Sequence, residues 1–284
     1  MDIVSQYDHD TGTITYIVAD PETRLCAVID SVLDYDPKAA RTSTASAERV
    51  VAEIEKRGLT CAWLLETHVH ADHLSAASWL KARIGGRIGI GNHVAPVQRV
   101  FSDIFDLGSG FPTDGRQFDH LFGDNEAFLI GNLHARAIHT PGHTPACMAY
   151  VVEDAAFVGD TLFMPDSGTA RCDFPGGDAH ILYRSVRRIL DLPPATRIFT
   201  AHDYAPGGRD PAWESTVAEQ RAHNIHVRDG IAEDEFVAMR TARDATLAMP
   251  TLILPSVQVN IRAGNLPEPD ARGHRFLKLP LNAL

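Results

Sequence analysis

Three histidines and an aspartate fall within six positions of the run "ETHVHADHLSAA", Glu66 to Ala77. Imidazole and carboxylate together suit the first-row metals, so the density of His68, His70, Asp72 and His73 points to a metal. Three later stretches repeat the theme: "HTPGHTP" carries His143, "FVGD" ends at Asp160, and "RIFTAHD" carries His202. Each of the four follows an apolar run. A lone histidine after a strand is more often an ordinary hydrogen-bonding residue, and a lone Gly-Asp is more often a turn. Four such places in order reverse that reading, because strand ends in an open α/β fold converge on one edge, where ligand sites form. Two prolines and a glycine stiffen the loop around His143, which lowers the entropy lost on binding a ligand.

The elements that must position these residues are legible as alternating patterns. "TITYIVAD" (Thr13 to Asp20) and "RLCAVID" (Arg24 to Asp30) are β-branched runs around a turn and predict a hairpin. "ASAERVVAEIEKRG" has helical spacing, with Ser46 or Ser43 as its cap and Gly58 as its stop. "TCAWLLET" predicts a buried strand that delivers His68. Then come a helix in "LSAASWLKARIGG", a strand in "RIGIG", and strands in "HARAIHT", "AYVVED" and "AAFVGD". A helix in "ILYRSVRRILDL" and a strand in "RIFTAHD" follow, with helices in "AWESTVAEQRAHNIHV" and "DEFVAMRTARDATL". Asn92 to Glu126 predicts a helix followed by a long irregular loop, expected to cover the site or an oligomer contact. The whole chain, residues 1–284, reads as one domain, with the segment from about 210 to 284 wrapping over the core.

Bulk properties exclude some classes. The formal net charge of -11 argues against a nucleic-acid binder. No stretch approaches the roughly 18 apolar residues of a membrane span, and the acidic N-terminus does not read as a signal peptide. Four scattered cysteines without a CxxC pair do not form a disulfide framework, so a reducing cytoplasm is the expected setting. Cys26 and Cys61 lie in apolar strand runs and read as core. Cys147 follows His143 closely and reads as packing. The histidines outside the motifs are taken as ordinary.

The His68-x-His70-x-Asp72-His73 loop with His143, Asp160 and His202 resembles the metallo-β-lactamase-fold superfamily. The resemblance implies an αββα sandwich: two mixed sheets packed face to face with helices outside. It also implies two ligand arrangements. In the dinuclear hydrolases of glyoxalase II type, His68, His70 and His143 would hold one metal, and Asp72, His73 and His202 a second, with Asp160 bridging. "ETHVHADHLSAA", "HTPGHTPACMAYV", "FVGDTLF", "ARCDFPGGDAHILYRSV" and "AHDY" together resemble the persulfide dioxygenase branch more narrowly, with Cys172 where that branch commonly has threonine. That resemblance implies one Fe(II) per chain on His68, His143 and Asp160, a facial triad with open positions. His70, Asp72, His73 and His202 would then orient the ligands.

The narrower resemblance implies oxidation of a small thiol persulfide, glutathione persulfide, with O2 to sulfite and glutathione, in a homodimer or homotetramer. Arg171 and Arg184 are candidates for the substrate's carboxylates, Cys172 for a thiol beside the sulfur, and Tyr204 and Asp72 for hydrogen bonding at the metal. The alternatives are a two-zinc thioester hydrolase and, in a different class, a metal-fold domain that senses sulfur species.

Overall fold

The computed structural model describes residues 1–283. Its first half is built from β1 (Asp2–Tyr7), β2 (Ile14–Ala19), β3 (Leu25–Ile29), β4 (Val32–Asp36), β5 (Arg41–Ser43), α1 (Ala45–Arg57), β6 (Thr60–Leu65), β7 (Leu74–Ser75), α2 (Ala77–Ile84), β8 (Arg87–Gly91), α3 (Val94–Ile104) and β9 (His120–Phe122). The second half has β10 (Glu126–Ile130), β11 (Leu133–His139), β12 (Met148–Val152), β13 (Ala155–Phe157), α4 (Ala179–Leu190), β14 (Arg197–Phe199), β15 (Glu214–Thr216), α5 (Val217–His223), α6 (Glu233–Asp244) and α7 (Ile253–Asn260).

Two six-stranded sheets result, in the orders β1-β2-β3-β6-β8-β9 and β10-β11-β12-β13-β14-β15. Both are mixed. β3, β6, β8 and β9 run parallel, as do β13 and β14, while the remaining neighbours are antiparallel. The strand period of two decides which residues face which layer. Ile14, Tyr16 and Val18 of β2 point between the sheets and meet Tyr150, Phe157 and Phe199. Ile17, between them, points the other way, into the layer of α1, α2, α3 and α7. On the opposite flank, Ala156 and Ile198 pack against Leu182 and Val186 of α4 and Phe236 of α6. This is the αββα sandwich.

Three sequence expectations need correction. First, neither Ser43 nor Ser46 is the N-cap of α1. The cap position is Thr44, whose side chain makes no cap bond. Instead Asp34 of β4 accepts from the Ser46 backbone N–H (3.0 Å) and hydroxyl (2.5 Å), so an acid from a neighbouring strand caps the helix. Gly58 does end it, in the left-handed conformation. Second, "AWESTVAEQRAH" is not helical throughout: Glu214–Thr216 forms β15, and the helix starts at Val217 behind a capping box of Thr216 and Glu219. Third, of the two roles expected for Asn92 to Glu126, covering the site is the one that the structure overturns. Phe101, Phe105 and Phe118 bury themselves in the α-layer core, and Gln98 ties the segment down by accepting from the Gly115 N–H at 2.9 Å.

The Asp34 cap yields a test. Asp34→Ala leaves the first turn of α1 without its acceptor and should lower unfolding free energy by about 1–2 kcal/mol, read as a shifted urea midpoint with an unchanged m-value.

Candidate metal centre

β6 ends one residue before Glu66, and the chain then turns across the sheet edge. Asp30, just past the end of β3, fixes that turn by accepting from the Thr67 N–H and hydroxyl, both at 2.8 Å. Thr67 in turn bonds His68 Nδ1 at 3.0 Å, so His68 presents Nε2. His143 lies in the loop between β11 and β12, where its Nδ1–H donates to the Arg171 carbonyl at 2.7 Å, so it also presents Nε2. Gly142 precedes it at φ +133, and an added Cβ would lie 2.4 Å from the backbone of Leu182. Only glycine lets this loop lie so close to α4. Asp160 follows β13 in a single 3₁₀ turn, and its Oδ1 accepts from His202 Nδ1 at 2.6 Å.

Asp160 Oδ2 is left 3.9 Å from His68 Nε2 and 3.7 Å from His143 Nε2. Both distances are too long for hydrogen bonds. Three basic atoms therefore face one another at a buried point without satisfying one another. A second triplet, His70, Asp72 and His73, gathers beside it, each of the two triplets having its ligand atoms within 4.8 Å of one another. His70 turns Nε2 away, to Asp30 (3.0 Å) and Glu66 (3.3 Å), which leaves Nδ1 facing the site. His73 donates from Nδ1 to the Leu74 carbonyl at 3.1 Å and also presents Nε2.

Among the described residues, six buried side-chain polar atoms have no hydrogen-bond partner, and five belong here: Glu66 Oε2, His68 Nε2, His70 Nδ1, Asp72 Oδ2 and His73 Nε2. Buried polar atoms are normally satisfied. Such a cluster of unpartnered imidazole nitrogens and carboxylate oxygens fits a transition metal held by imidazole and carboxylate.

Charge in this pocket is finely divided. Burial alone would depress the His70 imidazole, but Asp30 and Glu66 outweigh it and raise its pKa to about 10. Burial and the neighbouring His70 push His73 down to about 4. Burial likewise holds His68 well below the ordinary histidine value. His202 is raised well above it: burial opposes, and the Asp160 and Asp72 carboxylates win.

All seven motif residues therefore meet at one edge of the sandwich. The ligand atoms of His70 group with those of Asp72 and His73, and its ring lies between those of His68 and His73, with centroids 4.1 and 4.2 Å away. His202 has both ring nitrogens hydrogen-bonded, Nδ1 to Asp160 and Nε2 to the Thr13 hydroxyl at 3.1 Å, and Asp72 Oδ2 lies 2.5 Å from Nε2 as an ion-pair contact without hydrogen-bond alignment. Tyr204 stacks parallel to His202, with centroids 5.9 Å apart.

A cavity of about 1140 Å³ opens over Asp72, His73, His143 and Asp160. Arg171 lines it, but its guanidinium forks to Asp173 (2.5 and 2.6 Å) and donates to the Ala248 carbonyl. Arg184 does not line it: it lies exposed on α4, paired with Glu233 at 2.9 Å. Cys172 is buried in the outer layer, outside the cavity wall, and burial raises its thiol. Burial pushes Cys147 up to about 12, with its sulfur held against Thr144. Cys26 and Cys61 are core.

The sequence reading missed several residues. Asp30 was detectable, since "LCAVID" is another apolar strand ending in an acid. Glu66 was in plain view before Thr67. Arg41 and Arg243 also line the cavity, and among the described residues neither guanidinium has an acid partner or a hydrogen bond. Nothing in their sequence neighbourhoods marks them.

The family profile described as the Metallo-beta-lactamase superfamily matches residues 10–202. The chain belongs to the metallo-beta-lactamase superfamily. Within that superfamily of metal-dependent enzymes, it is 58% identical to a probable metallo-hydrolase of Burkholderia pseudomallei over the full length of both. It is 53% identical to a beta-lactamase hydrolase-like protein of Xylella fastidiosa over 98% of this chain, which spans only 64% of that relative. It is 31% identical to the mitochondrial persulfide dioxygenase ETHE1 of Homo sapiens, covering 89% of this chain and 84% of that one. The crystal structure of ETHE1 from Myxococcus xanthus superposes with a TM-score of 0.75 at 27% identity, covering 93% of this chain and all of that one. No helix among the described residues is long and apolar enough to cross a membrane.

One wall of the cavity should sense pH. His226 Nδ1 accepts from the Thr169 N–H at 3.0 Å, and burial, then Arg240 and Arg243, push its pKa down to about 4. The folded protein holds it neutral, so its contribution is present above the unfolded value of about 6.5 and is lost as pH falls towards 4. Urea midpoints measured between pH 6.5 and 4.5 should fall with a slope that His226→Gln reduces by up to about 1.4 kcal/mol per pH unit.

Proposed function

We propose that this protein is an Fe(II)-dependent persulfide dioxygenase that oxidises glutathione persulfide with O2. The reaction takes up one water and releases glutathione, sulfite and two protons. The observation that carries the reading is the state of His202. A dinuclear centre needs one of its nitrogens as a ligand, yet Nδ1 is bonded to Asp160 and Nε2 to the Thr13 hydroxyl, while His68, His143 and Asp160 direct three atoms to one point. Two histidines and one carboxylate suit Fe(II) with open positions. Bound there, iron would supply open positions for sulfur and O2 and the redox step, which zinc cannot supply.

The chain's own residues prepare that chemistry. The Arg171 carbonyl fixes which nitrogen His143 presents. His202 holds Asp160 Oδ1 and so leaves Oδ2 for the metal. Asp72 stays ionised: burial opposes this, and His202 outweighs it. It is thus an acceptor beside the reacting atoms. Tyr204 places a phenol at the cavity wall, and Phe163 and Phe174 keep water from part of it. The free guanidinia of Arg41 and Arg243 take over the role that Arg184 lies too far out to perform, pairing with the two carboxylates of glutathione.

A two-zinc thioester hydrolase is the second reading. It is favoured by the second triplet of His70, Asp72 and His73, and by relatives whose names describe hydrolases.

Protein purified iron-replete and oxygen-poor should consume O2 on addition of glutathione persulfide in proportion to its iron. Full iron loading without O2 uptake would sink the dioxygenase. In the active enzyme, Arg243→Ala should raise KM for glutathione persulfide about ten-fold, roughly 1.4 kcal/mol of lost binding, and leave kcat nearly unchanged. A fall in kcat at constant KM would count against a binding role for that arginine.

A further inference from the structure

The metal loop has a structural problem that its own residues do not solve. From Glu66 to His73 every ligand side chain is aimed into the site, and the chain there is neither helix nor strand. Its carbonyls therefore point away into protein interior. His70 and His73 are both 0% exposed, and a buried carbonyl without a donor is costly.

The donor comes from the far end of the chain. Asn260, the last residue of α7 and 4% exposed, donates through Nδ2 to the His70 carbonyl and to the His73 carbonyl, both at 2.8 Å. Its Oδ1 accepts from the Ser75 N–H at 2.7 Å. One carboxamide thus spans the loop on either side of Asp72. Ser75 passes the constraint on: its hydroxyl donates to Glu66 Oε1 at 2.7 Å, and Glu66 faces His70 Nε2. A second feature brings this turn close to the loop. At Gly264, φ +82, an added Cβ would lie 2.8 Å from the Ser75 carbonyl, so the turn after α7 can approach the loop only as glycine.

We infer that Asn260 is a positioning residue for the metal centre, holding His70, Asp72 and His73 in register with His68 from a segment 187 residues away from His73. The C-terminal segment does not merely wrap the core but completes the site. Groups that orient metal ligands typically change affinity 10–100-fold when removed. This inference rests on the metal reading of the site.

The test is Co(II) binding to metal-free protein, by competition with a chelator, together with the visible absorption of the Co(II) form and the thermal midpoint of the metal-free form. Asn260→Ala should weaken Co(II) binding about ten-fold or more and shift the absorption bands. The near-isosteric Asn260→Asp keeps an acceptor for Ser75 but loses both donors, and it should do the same, which guards against a variant that fails to fold. Gln258→Ala is the control: its amide donates to the Leu254 and Lys278 carbonyls, away from the loop. It should lower the midpoint and leave affinity and spectrum as in wild type. Wild-type affinity and spectrum in both Asn260 variants, despite a lowered midpoint, would make Asn260 purely structural. Failure of the wild type to bind Co(II) would overturn the metal reading itself, and this inference with it.

Discussion

Lone pairs do not gather in a buried pocket without something to attract them. At the edge of this sandwich His68, His143 and Asp160 direct three basic atoms to one point, and His70, Asp72 and His73 crowd beside them. In a medium of low effective dielectric, that arrangement repels itself unless a cation occupies it. The surrounding structure can be understood as what is required to hold these atoms there. Strands β3, β6, β13 and β14 end together at the edge. Asp30 and Thr67 fix the first turn, the Arg171 carbonyl fixes the ring of His143, and His202 fixes one oxygen of Asp160.

The same constraint bears on the proposed chemistry. A histidine with both nitrogens bonded to protein groups orients ligands instead of being one. On the proposed reading His202 is such an orienting residue, and its Nδ1 bond to Asp160 leaves one carboxylate oxygen free. The resulting donor set is small and asymmetric, which suits a metal that must also take substrate and O2. The cavity above supplies the rest: aromatic walls and two guanidinia that pair directly with no acid among the described residues.

Much of this was legible from residue patterns, and the reason is physical. Strand ends are announced by apolar, β-branched runs, so the placement of His68, His143, Asp160 and His202 at one edge followed from where those runs stop. The layer order followed from the alternation within β2 and its neighbours. What stayed hidden depends on rotamers and on contacts across long separations. Which nitrogen His70 turns inward is set by Asp30, 40 residues away, and no local pattern encodes it. The guanidinium that made Arg184 a candidate says nothing of the face of α4 on which it sits. Asn260 closes an apolar helix, and its role exists only once α7 docks on β7. Besides Asp30 and Glu66, the start of α5 was also readable: Thr216 and Glu219 form the Thr-x-x-Glu signature of a helix start, which would have placed the beginning of α5 correctly and freed Glu214–Thr216 to be a strand.

The central claim is that the centre is mononuclear, held by His68, His143 and Asp160. Anomalous diffraction at the iron edge, from crystals grown with excess Fe(II) under anaerobic conditions, tests it most directly. The account predicts a single peak per chain, bounded by those three side chains, with His202 still bonded to Asp160. Two peaks of comparable height, the second bounded by Asp72, His73 and His202, would contradict it and return the protein to the dinuclear hydrolases.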